Sequence, residues 1–326
     1  MEYRTLGKTG LRVGALGFGC GNIGGLVIRG ETSELRRAVT RAIEAGTNYF
    51  DTAAAYGDGK SEEVIGPLLR DMRAEVFLGT KVGLKPEEVA QAPQAIRRSL
   101  EASLRRLGRE RVDLFQFHNH VVADGSSRPG GVPLKTVLGP VAEGFAAARQ
   151  AGLTRFIGLT GLGETEVLHQ VAAAGVFDTV QCYVNAVNPS AGWPVKRLGE
   201  QNFDGLIGRA SAARMGVIAI RVLAAGALAG VPERHPIAGD PGTPLVPGAV
   251  YSANVDKARE MGALAKELGL DGPVELSLRL VLSQPGVSVA LVGYSDIGQL
   301  EDAIRWTERG PLTPSAVDRI VALAQK

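Results

Sequence analysis

Short apolar runs recur along the chain, each followed by a polar or glycine-rich loop and then an amphipathic segment. They are ALGF (15–18), TNYF (47–50), VFLGT (76–80), VDLFQF (112–117), RFIGL (155–159), DTVQC (178–182), GVIAI (216–220) and VSVALV (287–292). Between them apolar residues return at helical spacing. In residues 33–46 Leu35, Val39, Ala42 and Ile43 share one face, with Ser33 as the expected N-cap and Gly46 as the stop. In residues 92–108 Ile96, Leu100, Leu104 and Leu107 do the same, and the segment ends on Gly108. Strands alternating with helices predict a parallel sheet. Eight such units at a spacing of about 35 residues fit a closed α/β (β/α)8 TIM barrel better than an open sheet. The opening YRTLGKTGLRVG reads as a β-hairpin that precedes the first unit. No polar linker interrupts the pattern, so residues 1–326 are expected to form a single domain.

The longest irregular stretch, 226–253, holds five of the 17 prolines. A loop of that length in a compact domain is functional or disordered. It follows the seventh expected strand, at the barrel end that binds ligands. Composition adds little: 45% hydrophobic and 21% charged residues are ordinary for a globular chain. The 36 basic and 34 acidic residues nearly cancel, and with no basic cluster there is no case for nucleic acid. Cys20 and Cys182 make neither a metal spacing nor a disulfide framework. No window approaches about 18 apolar residues and the first residues are polar, so a cytoplasmic protein without a membrane span is expected.

In a barrel of this kind the chemistry sits at the C-terminal ends of the strands. Those ends offer Asp51 with Tyr56 on the loop beyond it, then Lys81, His118, Thr160, Gln181, Arg221 and Gly293. Singly, Asp51 reads as a strand-end cap, Tyr56 as a rim aromatic, His118 as a satisfied core histidine, and Asn119 and His120 as loop polar groups. Lys81 is different, because a lysine that follows a buried strand needs a partner. Asp51 on the neighbouring strand would supply it. Together these groups suit proton transfer by a phenol. Free tyrosine has a pKa near ~10, and an adjacent ammonium favours the phenolate. Asp51 would hold Lys81 charged, and His118 would orient a substrate oxygen. The set has no acyl-transfer nucleophile and no metal cluster. It fits protonation of a carbonyl oxygen while a nicotinamide cofactor delivers hydride, which no side chain can do. The GCGNIG match to GxGxxG (19–24) does not run into an expected helix, and the next candidate acid, Asp51, is 27 residues on. Its glycines are read instead as close backbone approach to a ligand.

Across nearly its whole length the chain resembles the aldo-keto reductase superfamily. The matching pieces are LGFGCG, NYFDTAAAYGDGKSEEVIG, GTKVG, RRLGRERVDLFQFHNH, RFIGLTG, VQCYVN, GVIAI, LAAGALAG and VALVGYSDIGQLEDAI. The resemblance implies a (β/α)8 barrel capped at its bottom by the hairpin, with NADP(H) bound extended. It implies Tyr56 as general acid/base, tuned by Lys81, with Asp51 supporting Lys81 and His118 positioning the carbonyl. The implied cofactor contacts are Gly19, Cys20, Gly21, Thr160, Gln181, Arg221, Leu223, Gly226, Gly293, Tyr294, Ser295, Gln299 and Asp302. Three departures stand out. Thr160-Gly161 replaces the usual Ser-Asn. Ile220 and then Arg221 stand where an aromatic often stacks on nicotinamide, which places a cation near the pyrophosphate. Gly293-Tyr294-Ser295-Asp296 lacks the basic residue found near an adenosine 2′-phosphate, so NAD(H) stays open beside the family's NADP(H). Tyr294 is a candidate to stack on adenine.

Asn22, Tyr56, His118 and Asn119 are the expected substrate contacts, with His120, Trp193 and Arg221 as further wall residues. Aromatic residues at 5% argue against a wholly aromatic pocket. DLFQFHNH and GLTGLG resemble the branch that includes aldose and galactose dehydrogenases, which implies an aldehyde, ketone or sugar as the small-molecule partner. Two other readings are a nucleotide-sensing binding subunit, like the potassium-channel β subunits of the same fold, and a lyase or isomerase using Lys81 as a Schiff-base amine. Asp51 and Tyr56 beside Lys81 argue for a charged, non-nucleophilic lysine. The C-terminal segment reads as a surface helix with no interface stripe, leaving the oligomeric state open.

Overall fold

The computed structural model describes residues 1–242 and 244–326. Strands β1 (Tyr3–Thr5) and β2 (Arg12–Gly14) pair antiparallel as the opening hairpin. The barrel strands are β3 (Leu16–Gly19), β4 (Tyr49–Asp51), β5 (Phe77–Val82), β6 (Val112–Phe117), β9 (Thr154–Thr160), β10 (Thr179–Tyr183), β11 (Gly216–Ile220) and β12 (Val287–Gly293). Between β6 and β9 lies a small parallel pair, β7 (His120–Val122) and β8 (Gly131–Pro133), in a stretch expected to be all loop. The eight barrel strands are parallel, neighbour one another in chain order, and close when β12 pairs with β3. Each overlaps one of the eight apolar runs. Strands buried on both faces need continuous apolar sequence, which is why the runs were visible. Helices cover the outside. Residues Ala92–Leu107 end on Gly108 in the left-handed conformation, as the spacing predicts.

Two local expectations are corrected. Ser33 is not a cap: the chain leaves Gly30 extended, Glu31 is the N-cap, and the helix Thr32–Glu44 already includes Ser33 in its first turn. A single helical turn, Leu26–Arg29, forms soon after the GCGNIG run, where no helix was expected. It is far shorter than the helix into which a dinucleotide fingerprint runs.

The long stretch after β11 begins as the 3-10 segment Ala224–Ala229 and ends where a helix starts at Tyr251. It crosses the mouth as a belt. Gly239 N–H donates to the carbonyls of Asn22 (3.0 Å) and Ile23 (3.1 Å), and Arg29 Nε donates to Ile237 O (2.7 Å). On the far side His120 Nε2 meets Leu245 O at 3.3 Å. Among the described residues no helix is long and apolar enough to cross a membrane.

The hairpin plugs the opposite end. Leu6, Leu11 and Val13 bury themselves against Tyr49, Leu114, Ile218 and Val289 at the bottom of the barrel. Lys8 N–H donates to Arg214 O (2.7 Å), just ahead of β11. Gly7 has φ +50°, and a Cβ there would lie 2.1 Å from Gly216 N. Gly7→Ala is therefore expected to destabilise the fold by about 2 kcal/mol or more. Urea unfolding would show it as a lower midpoint at unchanged slope; an unchanged midpoint would contradict this docking.

Candidate active site

Alternating residues of a strand face the same way, so Tyr49 and Asp51 both point into the barrel. Asp51, 1% exposed, gathers donors from four strands. Lys81 Nζ donates to Oδ1. Oδ2 accepts from Tyr49 OH, Gln116 Nε2 and Gln181 Nε2, each at 2.9 Å. Gln181 in turn accepts from Thr160 Oγ1 at 3.2 Å. Strand pairing sets Lys81 beside Gln116, Gln181 beside Thr160, and Asp51 beside Gly79. A side chain at Gly79 would put its Cβ 2.7 Å from Tyr49 OH and 3.3 Å from Asp51 Oδ2, so glycine makes room for the cluster.

Lys81 also donates to Thr52 O (2.8 Å) and to the phenolic oxygen of Tyr56 (3.1 Å). Burial pulls the lysine pKa down, but Asp51 and Tyr56 together outweigh it and hold the ammonium above its ordinary value. Tyr56, half-buried on the loop after β4, meets His118 edge-on, with ring centroids 6.1 Å apart. Burial foremost, then the nearby charges of Lys81, His120 and Arg221, pushes the His118 pKa down to about 3. The imidazole is thus neutral at physiological pH and offers one N–H. Asp51, Lys81, Tyr56 and His118, expected from sequence to converge, are brought together.

The expected cofactor and substrate residues divide. Gly19, Gly21, Arg221, Leu223, Gly226, Gly293 and Gln299 keep some exposure at the strand ends and the segments that follow them. Cys20 is fully buried, its N–H donating to Asp51 O (2.9 Å) and its carbonyl accepting from Ser61 Oγ (2.8 Å), so it offers a ligand nothing. The Ser295 hydroxyl is spent on Gly24 O (2.6 Å), and Asp302 pairs with Arg305 (2.9 Å). Tyr294 does not offer its ring to adenine: it is 2% exposed and packs against Phe18. Its apolar bulk fills the core behind β12, which is the correction to that expectation. Asn119 is also committed, since its amide closes both bonds to the Leu84 backbone, each at 2.8 Å. Trp193 packs against core residues, and its neighbour Gly192 accepts from Gln284, just ahead of the start of β12, so it stands away from the mouth. Asn22 and His120 meet the belt, Asn22 through its carbonyl and His120 through its ring.

Tyr49 and Gln116 were not anticipated. Gln116 had a legible signal, a polar residue within the apolar run VDLFQF. Tyr49 had only its two-residue spacing from Asp51. Among the described residues no group of three His, Cys, Asp or Glu side chains could hold a metal.

A closed parallel barrel with this cluster at its C-terminal mouth defines a class, and comparison with known proteins agrees. The sequence model described as "Aldo/keto reductase family" matches residues 15–325, so the chain belongs to the aldo/keto reductase family. L-galactose dehydrogenase of Arabidopsis thaliana is 29% identical over 313 residues, 93% of this chain and 87% of the relative. L-glyceraldehyde 3-phosphate reductase of Escherichia coli O157:H7 is 29% identical, covering 94% of this chain and 87% of the relative. In fold, the chain is similar to the holo form of aldo-keto reductase AKR11C1 from Bacillus halodurans, with a TM-score of 0.72 at 23% identity, covering 99% of this chain and 96% of that one.

The depressed His118 pKa carries a consequence for stability. Unfolded, the imidazole titrates near 6.5; folded, near 3. Between those values the unfolded chain binds more protons, so the His118 contribution is intact above pH 6.5 and is lost as the pH falls toward 3. His118→Gln is expected to lose less stability than the parent between pH 7 and pH 4, measured by urea unfolding at each pH. Parallel losses in the two proteins would contradict a neutral His118.

Proposed function

We propose that the protein interconverts a carbonyl compound and its alcohol by hydride transfer, using a nicotinamide dinucleotide. The observation that carries this is the unbroken chain Asp51–Lys81–Tyr56, with a neutral imidazole facing the phenol. Partly exposed backbone at Gly19, Gly21 and Gly293, at or just past the adjoining ends of β3 and β12, and at Gly226 on the segment after β11, suits the close approach of an extended dinucleotide, and Gly21 lies against the Tyr56 ring. Leu223 and Gln299 are the further residues that would hold the dinucleotide, whereas Thr160 and Gln181, expected as contacts, are buried and spend their polar groups in the Asp51 cluster. When bound, the reduced nicotinamide supplies the hydride.

The chain's own residues do the rest. Tyr56 gives its phenolic proton to the carbonyl oxygen. The Lys81 ammonium stabilises the negative charge left on the phenol oxygen, and Asp51 keeps Lys81 charged. His118, neutral, donates its N–H to the same substrate oxygen and fixes its direction. In alcohol oxidation each proton retraces its path. The ammonium in this network argues against a Schiff-base lysine, and the intact proton donor argues against a role in binding alone. The names of the relatives support a sugar or a small hydroxy-aldehyde as substrate.

The adenosine end favours NAD(H) over NADP(H). By resemblance to the family the ribose 2′ position would fall near Gly293–Asp296. There Asp296 caps the helix Ile297–Glu308 through the Gln299 N–H (2.8 Å), and Glu34 faces the Ile297 N–H (3.4 Å). A 2′-phosphate would meet two carboxylates; a 2′-hydroxyl would find acceptors. Fluorescence titration is expected to give tighter binding of NADH than of NADPH. Tyr56→Phe should retain dinucleotide binding and lose at least ~10²-fold in turnover of an aldehyde panel. Near-normal turnover in that variant would sink the assignment of Tyr56.

A further inference from the structure

Arg221 follows β11 directly and departs from ordinary backbone geometry, with φ +56°. The conformation is locked, because its carbonyl accepts from Asn185 Nδ2 (3.0 Å) and from Ala224 N–H (2.8 Å). A residue held in the left-handed region is strained, and strain of this kind gathers at functional sites. The residue is half-buried. Among the described residues no carboxylate lies within ion-pairing distance of it, and no hydrogen bond from it to a described residue is formed. It lines a cavity with Tyr183, Ala224, Tyr251 and Asn254.

The surrounding charges do not neutralise it. Arg234 is a second cation, and its guanidinium bonds to Ala225 O, Gly239 O and Tyr251 OH. Glu200, bonded to Tyr183, is already engaged by Asn188 Nδ2 (3.1 Å) and Asn254 Nδ2 (2.8 Å). Lys81 has Asp51. Among the described residues Arg221, unlike Arg234, has neither an anion nor a hydrogen-bond acceptor on the protein for its guanidinium. Withdrawing such a charge from water is unfavourable unless something of opposite sign arrives. Its fork matches the paired oxygens of a carboxylate or phosphate. Its field reaches the reacting groups, since it is among the charges that hold His118 neutral.

We propose that Arg221 seats a carboxylate or phosphate carried by the carbonyl substrate, a few bonds from the reacting carbon, so that the preferred substrates are anionic oxo compounds. This rests on reading the mouth as a carbonyl-reducing site. The pyrophosphate of the dinucleotide is the other source of the same chemistry, and the test separates the two.

The parent protein, Arg221→Gln and Arg221→Lys are compared in two assays. In the first, without dinucleotide, melting is followed with millimolar succinate or inorganic phosphate against sodium chloride of equal ionic strength. The parent is expected to gain about 2 °C or more, and the Gln variant to gain nothing. Equal gains in both, or none in either, overturn the anion site. In the second, 4-oxobutanoate is compared with its methyl ester. The parent is expected to favour the acid by about tenfold or more in kcat/KM, the Gln variant to lose that preference, and the Lys variant to keep part of it. The dinucleotide Kd by fluorescence is expected to change less than about threefold. Activity with no preference for the acid overturns the inference and leaves the carbonyl reading intact. So does a preference that survives in the Gln variant while dinucleotide affinity falls tenfold, which assigns Arg221 to the cofactor. Reduction of neither aldehyde nor of any other carbonyl overturns the functional reading and, with it, the assignment of the anion to a carbonyl substrate.

Discussion

An ammonium and a carboxylate withdrawn from water inside a barrel set the terms for everything around them. Lys81 and Asp51 are each 1% exposed. A buried pair of this kind is not a cheap source of stability. Removing one partner leaves a charge stranded at a cost of about 3–5 kcal/mol, and the pair itself needs further hydrogen bonds to offset desolvation. Tyr49, Gln116 and Gln181 provide those bonds on the carboxylate side, while Thr52 O and Tyr56 OH accept on the lysine side. Gly79 follows from the same constraint, because any side chain there would intrude on the cluster. Four barrel strands, β4, β5, β6 and β10, thus carry residues whose identity is explained by one ion pair, and Thr160 of β9 holds Gln181 in place.

The rest of the molecule divides into what holds that pair still and what approaches it. The hairpin and the buried residues at the foot of β4, β6, β11 and β12 close the barrel from below and keep Tyr49 dry. Above, the belt ties the β3 side of the mouth to the β6 side through backbone carbonyls. Rigid strands carry Asp51 and Lys81 and anchor the short segments that hold Tyr56 and His118, whereas the segments after β11 and β12 carry Arg221 and Asp296, where ligand preference can change without disturbing the pair.

Much of this is legible in the sequence. The eight strands could be seen because burial on both faces demands unbroken apolar runs. Asp51, Lys81, Tyr56 and His118 could be seen because their types are costly at strand ends unless they serve one another. What escaped notice has a common physical character. Tyr49 looks like one more apolar strand residue until its hydroxyl is placed. Asn119 and Tyr294 were expected to face ligand, but the direction of a side chain at the rim is set by neighbours distant in sequence. Asn119 turned to the Leu84 backbone, and Tyr294 turned to Phe18. The belt reads from sequence as a functional or disordered loop, and its docking runs mainly through backbone groups, which any sequence supplies. Ser33 missed its capping role by the shift of a single turn boundary.

The claim beneath the account is that Asp51 keeps Lys81 charged beside the Tyr56 phenol. It can be tested without substrate or cofactor by following Lys81 in protein labelled at lysine Cε and Nζ, using NMR across pH. The parent is expected to keep Lys81 as an ammonium beyond the ordinary lysine value of 10.5. In Asp51→Asn, burial acts unopposed by the carboxylate, and Lys81 is expected to release its proton at least ~2 pH units lower. A Lys81 that titrates near neutrality in the parent, or at the same pH in both proteins, would contradict the account.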